Sequence, residues 1–173
     1  MDIRRESERT PMKNRTTVER KSERELVVTR IINGPPRIVF EAFTSPELLK
    51  RWWVPKSFDM SLLSCEVDVR VGGQYRFVIR QGDSKPMAFF GRYIEVTPHS
   101  RLVWTNEEGD DGGAVTTVTF EENDDRTLLV LQELYPSKQV RDEAFAGMEG
   151  ATPEQFAQLD ELLVALGEGL MAV

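Results

Sequence analysis

The chain has only one cysteine and one histidine in 173 residues, and this scarcity excludes several kinds of site. A single cysteine cannot form an internal disulfide, and one cysteine with one histidine cannot complete a structural zinc site. His99 lies in a predicted turn between Pro98 and Ser100, so a catalytic triad built on histidine is not expected. Cys65 alternates with valines in a predicted strand, which favours a small buried hydrophobe over a reactive thiol.

Long apolar runs are also missing. No stretch approaches the roughly 20 residues that a membrane-spanning helix needs, and the charged N-terminus lacks the apolar segment of a signal peptide. We therefore expect a cytoplasmic protein without a membrane span. No glycine-rich loop precedes a predicted helix, so the sequence indicates no nucleotide site, and it predicts no other cofactor and no metal.

The formal net charge of -7 is unevenly distributed along the chain. Residues 1–24 contain eight Lys and Arg against five Asp and Glu, and the remainder contains 14 basic and 24 acidic residues. A body this acidic repels a phosphate backbone, which argues against nucleic acid as a partner. Residues 1–23 have few large apolar side chains, so we expect a disordered charged extension rather than a binding arm. A single domain over residues 24–170 is expected to follow it.

Residues 60–135 consist of β-rich segments separated by turn signals. The signals lie at residues 72–73, 82–84, 98–100, 107–113 and 122–125, and the segments between them are rich in β-branched and aromatic residues. Connections this short favour an up-and-down antiparallel meander. A further strand is predicted at residues 25–33.

The register of the hairpin at Gly72 and Gly73 can be predicted from the alternation of apolar and polar residues in its two strands. A bulged turn at Gly72 and Gly73 pairs Val69 with Tyr75, and Val67 with Phe77, and places all the apolar side chains on one face. A two-residue loop would instead place the valines opposite polar residues of the neighbouring strand. We therefore predict the bulged turn, with Glu66 and Asp68 facing solvent.

Helix signals stand on both sides of the meander. Pro36 is predicted to begin a short helix, and Ser45 to cap a second one that ends before Pro55. At the C-terminus, Thr152 and Gln155 form a capping box, followed by an apolar stripe with spacings of three and four. A shorter stripe precedes it, and its glycines at 147 and 150 indicate a bend and a mobile lid.

Several segments, in this order and spacing, resemble the superfamily of START lipid-transfer domains, polyketide cyclases and SRPBCC proteins. Within it the chain is most similar to the branch named after the activator of the heat-shock chaperone ATPase. The segments are residues 29–36 (TRIINGPP), 45–55 (SPELLKRWWVP), 68–75 (DVRVGGQY), 91–98 (GRYIEVTP), 147–150 (GMEG) and 158–163 (QLDELL).

The resemblance implies an α+β helix-grip fold. In this fold a curved antiparallel sheet wraps around a long C-terminal helix, and two short helices follow strand one. It also implies a largely apolar cavity between the sheet and the C-terminal helix, without naming a ligand.

The leading hypothesis is therefore a protein that binds a small hydrophobic or amphipathic molecule without catalysis. The residues expected to line its cavity are Trp52, Phe77, Ile79, Tyr93, Trp104, Phe145, Met148, Phe156, Leu159 and Leu163.

Two alternatives remain open. One is a cyclase or lyase that uses Glu133 or Glu95 as a base, with Tyr75 or Tyr93 as hydroxyl partner. The other is a protein-interaction module similar to the chaperone activator, in which the sheet surface docks a large partner. The oligomeric state is not predicted.

Overall fold

The computed structural model describes residues 15–108 and 113–171, with side chains described to residue 167. The strands are β1 (Thr17–Arg20), β2 (Glu25–Ile32), β3 (Met60–Val67), β4 (Gln74–Gln81), β5 (Met87–Thr97), β6 (Arg101–Thr105), β7 (Val115–Asn123) and β8 (Arg126–Leu134). The helices are α1 (Pro36–Thr44), α2 (Pro46–Trp52) and α3 (Lys138–Met171), with a 3-10 turn at Lys56–Phe58.

All eight strands form one antiparallel sheet in the order β1-β2-β8-β7-β6-β5-β4-β3. From β3 to β8, each strand pairs through hydrogen bonds with the next strand in the sequence, which confirms the predicted meander. The main core lies on one face of the sheet, beneath α1, α2 and the second half of α3. This arrangement confirms the α+β helix-grip fold.

The two short helices begin and end where the sequence predicts. Pro36 occupies the first position of α1, and the Ser45 hydroxyl accepts a hydrogen bond from the Leu48 N–H at the start of α2. Helix α1 buries Phe40 and Phe43, and both rings make edge contacts with Phe120 of β7. The pair of helices therefore closes over one part of the sheet.

The expected disordered extension ends earlier than residue 23. Thr17–Arg20 form β1 and pair with β2, with Thr17 opposite Thr29. The Thr16 hydroxyl also accepts a hydrogen bond from Arg30 at 2.8 Å. The expectation is wrong for this segment because an exposed edge of β2 gives even a polar segment backbone partners. Residues 1–14 lie outside the described residues.

The hairpin between β3 and β4 has a register two residues away from the predicted one. Val67 pairs with Tyr75, and Cys65 pairs with Phe77. The loop is longer than predicted. The Gly73 N–H closes a turn on the Arg70 carbonyl, and the Gly72 N–H and the Gly73 carbonyl hydrogen-bond to the backbone of Tyr93. A shift by an even number keeps each side chain on its face, so Cys65 and Val67 still share the inner face with Tyr75 and Phe77. Val71 lies in the loop and is 68% exposed.

Helix α3 begins at Lys138 and not at Thr152. Ser137 caps it, because its hydroxyl accepts a hydrogen bond from the Val140 N–H at 3.2 Å. The helix then continues through Gly147, Gly150 and Pro153. The two glycines therefore do not interrupt the helix, although the sequence had indicated that they would.

The residues that resembled a capping box have other partners. Gln155 donates to the Trp53 carbonyl, and Glu154 accepts from the Ser57 N–H at 2.8 Å. Gln158 donates to the carbonyls of Trp52 and Val54. These side chains hold the segment after α2 against α3, a role that produces the same pattern of polar residues as a helix start.

Candidate functional site

A mainly apolar cavity of about 180 Å³ lies between strands β4 to β6 and the helices α1 and α2. The residues that line it are Phe43, Leu49, Trp53, Tyr75, Phe77, Ile79, Phe89, Tyr93, Trp104, Asn106 and Glu108. Two larger grooves, of about 750 and 780 Å³, lie elsewhere on the surface and include several charged side chains. The smaller cavity is the candidate site because its walls are largely aromatic.

The position of the cavity differs from the expected one. No described residue of α3 lines it, so it does not lie between the sheet and the C-terminal helix. Helix α3 instead packs against β1, β2 and the two short helices. The space that the grip helix was expected to leave is filled by core side chains, and the cavity opens further along the sheet, beside α1 and α2.

Three rings form one corner of the cavity. Tyr93 of β5 and Trp104 of β6 are directly opposed across the strands, and Tyr75 of β4 lies beside both. Their ring centroids are 6.0 to 6.5 Å apart, with interplanar angles of 60° to 76°. Gly91, opposite Tyr75, leaves room for the phenol: a β-carbon there would lie 2.9 Å from the Tyr75 ring.

The polar end of the cavity is held by Asn106. Its amide nitrogen donates to the Ala114 carbonyl and to the Thr116 hydroxyl, both at 3.0 Å. A carbonyl can only accept, so the amide oxygen must face the other way, toward the Tyr75 hydroxyl at 3.0 Å. That hydroxyl also lies 2.7 Å from the Thr105 carbonyl, so its one proton has two acceptors.

Glu133 belongs to the same face as the cavity. It stands in one cross-strand row that runs Tyr93, Trp104, Thr116, Glu133 and Leu26 over five strands. The Glu133 side chain is only partly exposed. Desolvation raises the pKa of Glu133 to about 7, although hydrogen bonds from Thr116 and Tyr135 oppose the shift. The face of Glu133, which the sequence left undecided, is therefore the inner one.

Hydrogen bonds connect Glu133 to the wall of the cavity. The Thr116 hydroxyl contacts Glu133 and accepts from Asn106, and the Asn106 oxygen accepts from Tyr75. Burial raises the pKa of Tyr75 far above its ordinary value, so the phenol stays protonated. The carboxyl group and the cavity are thus linked through three polar side chains.

Carboxylates dominate the charge near the site. Glu108 lines the cavity, and no Lys or Arg is present among the described lining residues. Glu107, its neighbour, turns to Arg92, with nitrogen and oxygen 3.1 Å apart. A hydrogen bond from Thr105, and another from Arg92, hold the pKa of Glu107 below its usual value. The local field therefore favours positive charge at the polar end of the cavity.

Four of the ten residues expected to line the cavity do so, namely Phe77, Ile79, Tyr93 and Trp104. Trp52 does not. It is fully buried, and its indole nitrogen donates to the Ala42 carbonyl at 3.0 Å. Trp53 lines the cavity instead and makes an edge contact with Phe77, with centroids 5.4 Å apart. Adjacent tryptophans on a helix cannot share a direction, and the sequence does not say which one faces inward.

The other five residues are on α3 and lie away from the cavity. Phe156, Leu159 and Leu163 are buried in the main core. Phe145 and Met148 pack on a second cluster around Leu26 and Tyr135, where the Arg20 guanidinium lies 3.9 Å from the Phe145 ring centre. Their apolar stripe was interpreted correctly as a buried face, but that face meets core residues and not the cavity.

Sequence reasoning missed the polar end of the cavity. Asn106 and Glu108 lie in the segment after β6. Residues 107–113 were interpreted only as a turn, and Asn106, just before them, was not singled out. Phe43, Leu49 and Phe89 were also missed as lining residues. Phe89 could have been predicted from the register of β4 and β5, because it lies directly opposite Phe77.

The candidate catalytic residues separate into two groups. Glu95 is on the outer face, where its carboxylate pairs with Arg101 at 3.0 Å, so the prediction that it acts as a base in the cavity is wrong. Tyr75 and Tyr93 both line the cavity. Cys65 is buried, and burial raises the pKa of its thiol to about 11, as expected for an inert cysteine.

The described residues contain neither a membrane-spanning helix nor a cluster of metal ligands. No helix in residues 15–108 and 113–171 is long and apolar enough to cross a membrane. In the same part of the chain, no group of three His, Cys, Asp or Glu residues could hold a metal ion.

A meander that grips a C-terminal helix and leaves an apolar cavity beside the two short helices defines a helix-grip protein of the START/SRPBCC type. A family model described as activator of Hsp90 ATPase homolog 1-like protein matches residues 33–164. The chain belongs to this family.

Solved structures share the fold. A protein from Nitrosomonas europaea is 26% identical, with a TM-score of 0.77 over 86% of this chain and 99% of its own. A protein from Rhodobacter sphaeroides is 24% identical, with a TM-score of 0.80 over 87% and 99%. One from Chromobacterium violaceum is 27% identical, with a TM-score of 0.65 over 82% and 98%. No protein with a curated description matches the chain.

Proposed function

We propose that the protein binds a small apolar or amphipathic molecule in the cavity beside α1 and α2. The observation that carries this proposal is the wall of aromatic side chains around a space of about 180 Å³. An apolar cavity of roughly 150 Å³ is large enough for benzene. The expected ligand therefore has about one or two rings, or an equivalent aliphatic body.

The residues that line the cavity determine the binding free energy that we expect. Aromatic and aliphatic walls stabilise a ligand by removing its apolar surface from water, at about 25 cal/mol per Å². A ligand this small buries little area and loses rotational and translational freedom on binding, so we expect dissociation constants in the range of about 1–100 µM. Asn106 and Glu108 orient the polar end of an amphipathic ligand.

Native mass spectrometry of gently purified protein, together with thermal shifts on adding indole or toluene, tests this proposal. We expect a bound species or a ligand-dependent rise in melting temperature. Ile79→Phe fills the cavity and should abolish the rise. The matched control is Val78→Phe, because Val78 is on the same strand and points to the opposite face. Equal responses from both variants would show that ligands bind elsewhere.

Glu133 supports a second candidate function, an acid–base enzyme of the cyclase or lyase type. A partly buried carboxyl group with a pKa of about 7 is suited to exchange protons near neutral pH. Its connection through Thr116 and Asn106 reaches the cavity wall. If a substrate is found by screening polyketide-like compounds, Glu133→Gln should abolish turnover while leaving substrate affinity within about threefold.

Two further expectations stay predictions: the cytoplasmic location and the absence of a nucleic acid partner. The protein-interaction hypothesis also stays a prediction. Its best-placed surface is the outer face of β5, where the side chains of Phe90 and Ile94 are 41% and 49% exposed.

A further inference from the structure

The aromatic corner of the cavity is shaped like a box. Tyr75, Tyr93 and Trp104 meet at steep angles, and Trp53 and Phe77 form a second steep pair at 79°. All five rings line the cavity, so a ligand in it contacts aromatic surface on more than one side. The electron-rich faces of such rings attract cations, most strongly when water is excluded.

The charges near the polar end of the cavity also favour a cationic ligand. Glu108 lines the cavity, and Glu133 is in the same cross-strand row as Trp104, two strands away. Arg92, which is close to Glu107 next to this acidic side, is already paired with that carboxylate. An anionic ligand would therefore bring a further negative charge beside Glu108 without a cation in the described lining.

The hydrogen-bonding groups at this end are acceptors, which also suits a cationic ligand. Tyr75 has two acceptors for its single proton, so a lone pair of its hydroxyl oxygen remains for a donor on the ligand. The Glu108 carboxylate can only accept. A tertiary ammonium group has one N–H bond to donate to these acceptors, and its methyl groups contact the rings. A quaternary ammonium group has no N–H bond and is held by the rings and by the charge of Glu108 alone.

We propose that the ligand of this cavity carries a small organic cation, a tertiary or quaternary ammonium group, held in the box of Tyr75, Tyr93 and Trp104 with Glu108 as its counter-charge. This inference rests on the proposed function, because it names the chemical class that the same cavity prefers. A neutral apolar ligand would bind through burial alone and gain nothing from Glu108.

The experiment compares two probes of the same shape, choline and its uncharged carbon isostere 3,3-dimethylbutan-1-ol. Isothermal titration calorimetry with the full chain measures both dissociation constants. We expect choline to bind at least about tenfold more tightly, the effect of a buried cation over aromatic rings. Indole serves as the neutral probe for binding in general.

Two variants assign the preference to the site. Glu108→Gln should reduce the preference for choline by at least about threefold, since it removes the charge and keeps an acceptor. Glu107→Gln is the matched control: it removes the same charge one residue away, at a side chain that faces Arg92 and not the cavity. The control should leave the preference unchanged.

The outcomes separate this inference from the proposed function. Tighter binding of choline, lost in Glu108→Gln alone, supports both. Equal or tighter binding of the neutral isostere, or binding of indole without choline, overturns the cation inference and leaves the proposed function intact. If choline, the isostere and indole all fail to bind, both proposals fall. An equal loss of preference in the Glu107 and Glu108 variants would also overturn the assignment to Glu108.

Discussion

Arg30 of β2 and Asp160 of α3 form a buried ion pair, with Nη2 and Oδ2 2.7 Å apart and side chains only 4% and 9% exposed. The same carboxylate accepts a hydrogen bond from the Asn33 N–H through its other oxygen. One side chain of the grip helix thus fixes both the end of β2 and the turn that leads into α1. The helices that cover the cavity are positioned by this contact.

Breaking this pair should be strongly destabilising. Asp160→Asn leaves the Arg30 guanidinium buried without a counter-charge, so we expect a loss of about 3 kcal/mol in the free energy of unfolding. Urea denaturation measures it. Glu107→Gln, which breaks the exposed pair with Arg92, serves as control and should change stability little. An Asp160→Asn variant as stable as the original chain would show that the pair contributes no net stability.

Removing residues 1–23 should lower stability, contrary to the sequence-based expectation. A chain that begins at Arg24 loses β1, the Thr16 hydrogen bond to Arg30, and the contact of Arg20 with Phe145. We expect a fall of at least about 2–4 °C in melting temperature, equivalent to about 1 kcal/mol for a domain of this size. A chain that begins at Arg15 is the control, and it should melt above the shorter one. Identical melting of the two truncated chains would mean that β1 adds nothing.

Two glycines should respond to alanine in opposite directions. A β-carbon at Gly91 would lie 1.9 Å from the Thr105 carbonyl oxygen, so Gly91→Ala should cost at least about 2 kcal/mol. Gly147 has nothing within 4 Å of that position and lies inside α3, so Gly147→Ala should add about 0.5–1 kcal/mol. Thermal or urea unfolding compares them. If Gly147→Ala is destabilising, the result would support a hinge at this glycine.

Glu133 should make stability fall as pH rises toward 7. Its pKa is about 7 in the folded protein, against an ordinary value of 4.5, so between these values the folded state holds the proton and the unfolded state has lost it. The ionised form must then be kept folded at higher pH, at a cost of about 2–3 kcal/mol, fully present above pH 7. Burial is the main cause of the raised pKa, and repulsion by Glu108 adds to it.

Glu133→Gln isolates this contribution, because glutamine stays neutral at every pH. The variant should gain stability over the original chain at pH 8 and show a much smaller gain at pH 5. Urea unfolding at the two pH values gives the difference. A gain of the same size at both would show that the Glu133 pKa is not raised by folding.

The sequence predicted the sheet well because its turns are local. Connections of a few residues with glycine or aspartate leave no alternative to neighbouring antiparallel strands, and all of the strands after α2 follow this rule. The start of α3 was wrong for a tertiary reason. Thr152 and Gln155 match a capping box in sequence, yet Gln155 and its neighbour Glu154 bind the backbone after α2, a contact between segments about 100 residues apart.

The candidate site was only partly predictable. Alternation places Phe77, Ile79, Tyr93 and Trp104 on one face, and the structure brings all four to the cavity. The choice between Trp52 and Trp53 depends on the rotation of a seven-residue helix, which no periodicity in so short a segment defines. Strand β1 was missed because its stability comes from the edge of β2 and not from its own composition.

The most direct test of ligand binding in this cavity is a ¹H–¹⁵N NMR titration of the full chain with indole. Saturable shift changes should appear at Tyr75 and Phe77 and at the indole N–H signals of Trp53 and Trp104, and they should disappear in Ile79→Phe. The signal of Trp52, whose N–H is bonded to the Ala42 carbonyl, should move little. The absence of saturable shifts, or shifts centred on Phe145 and Met148 of α3, would contradict the proposed site.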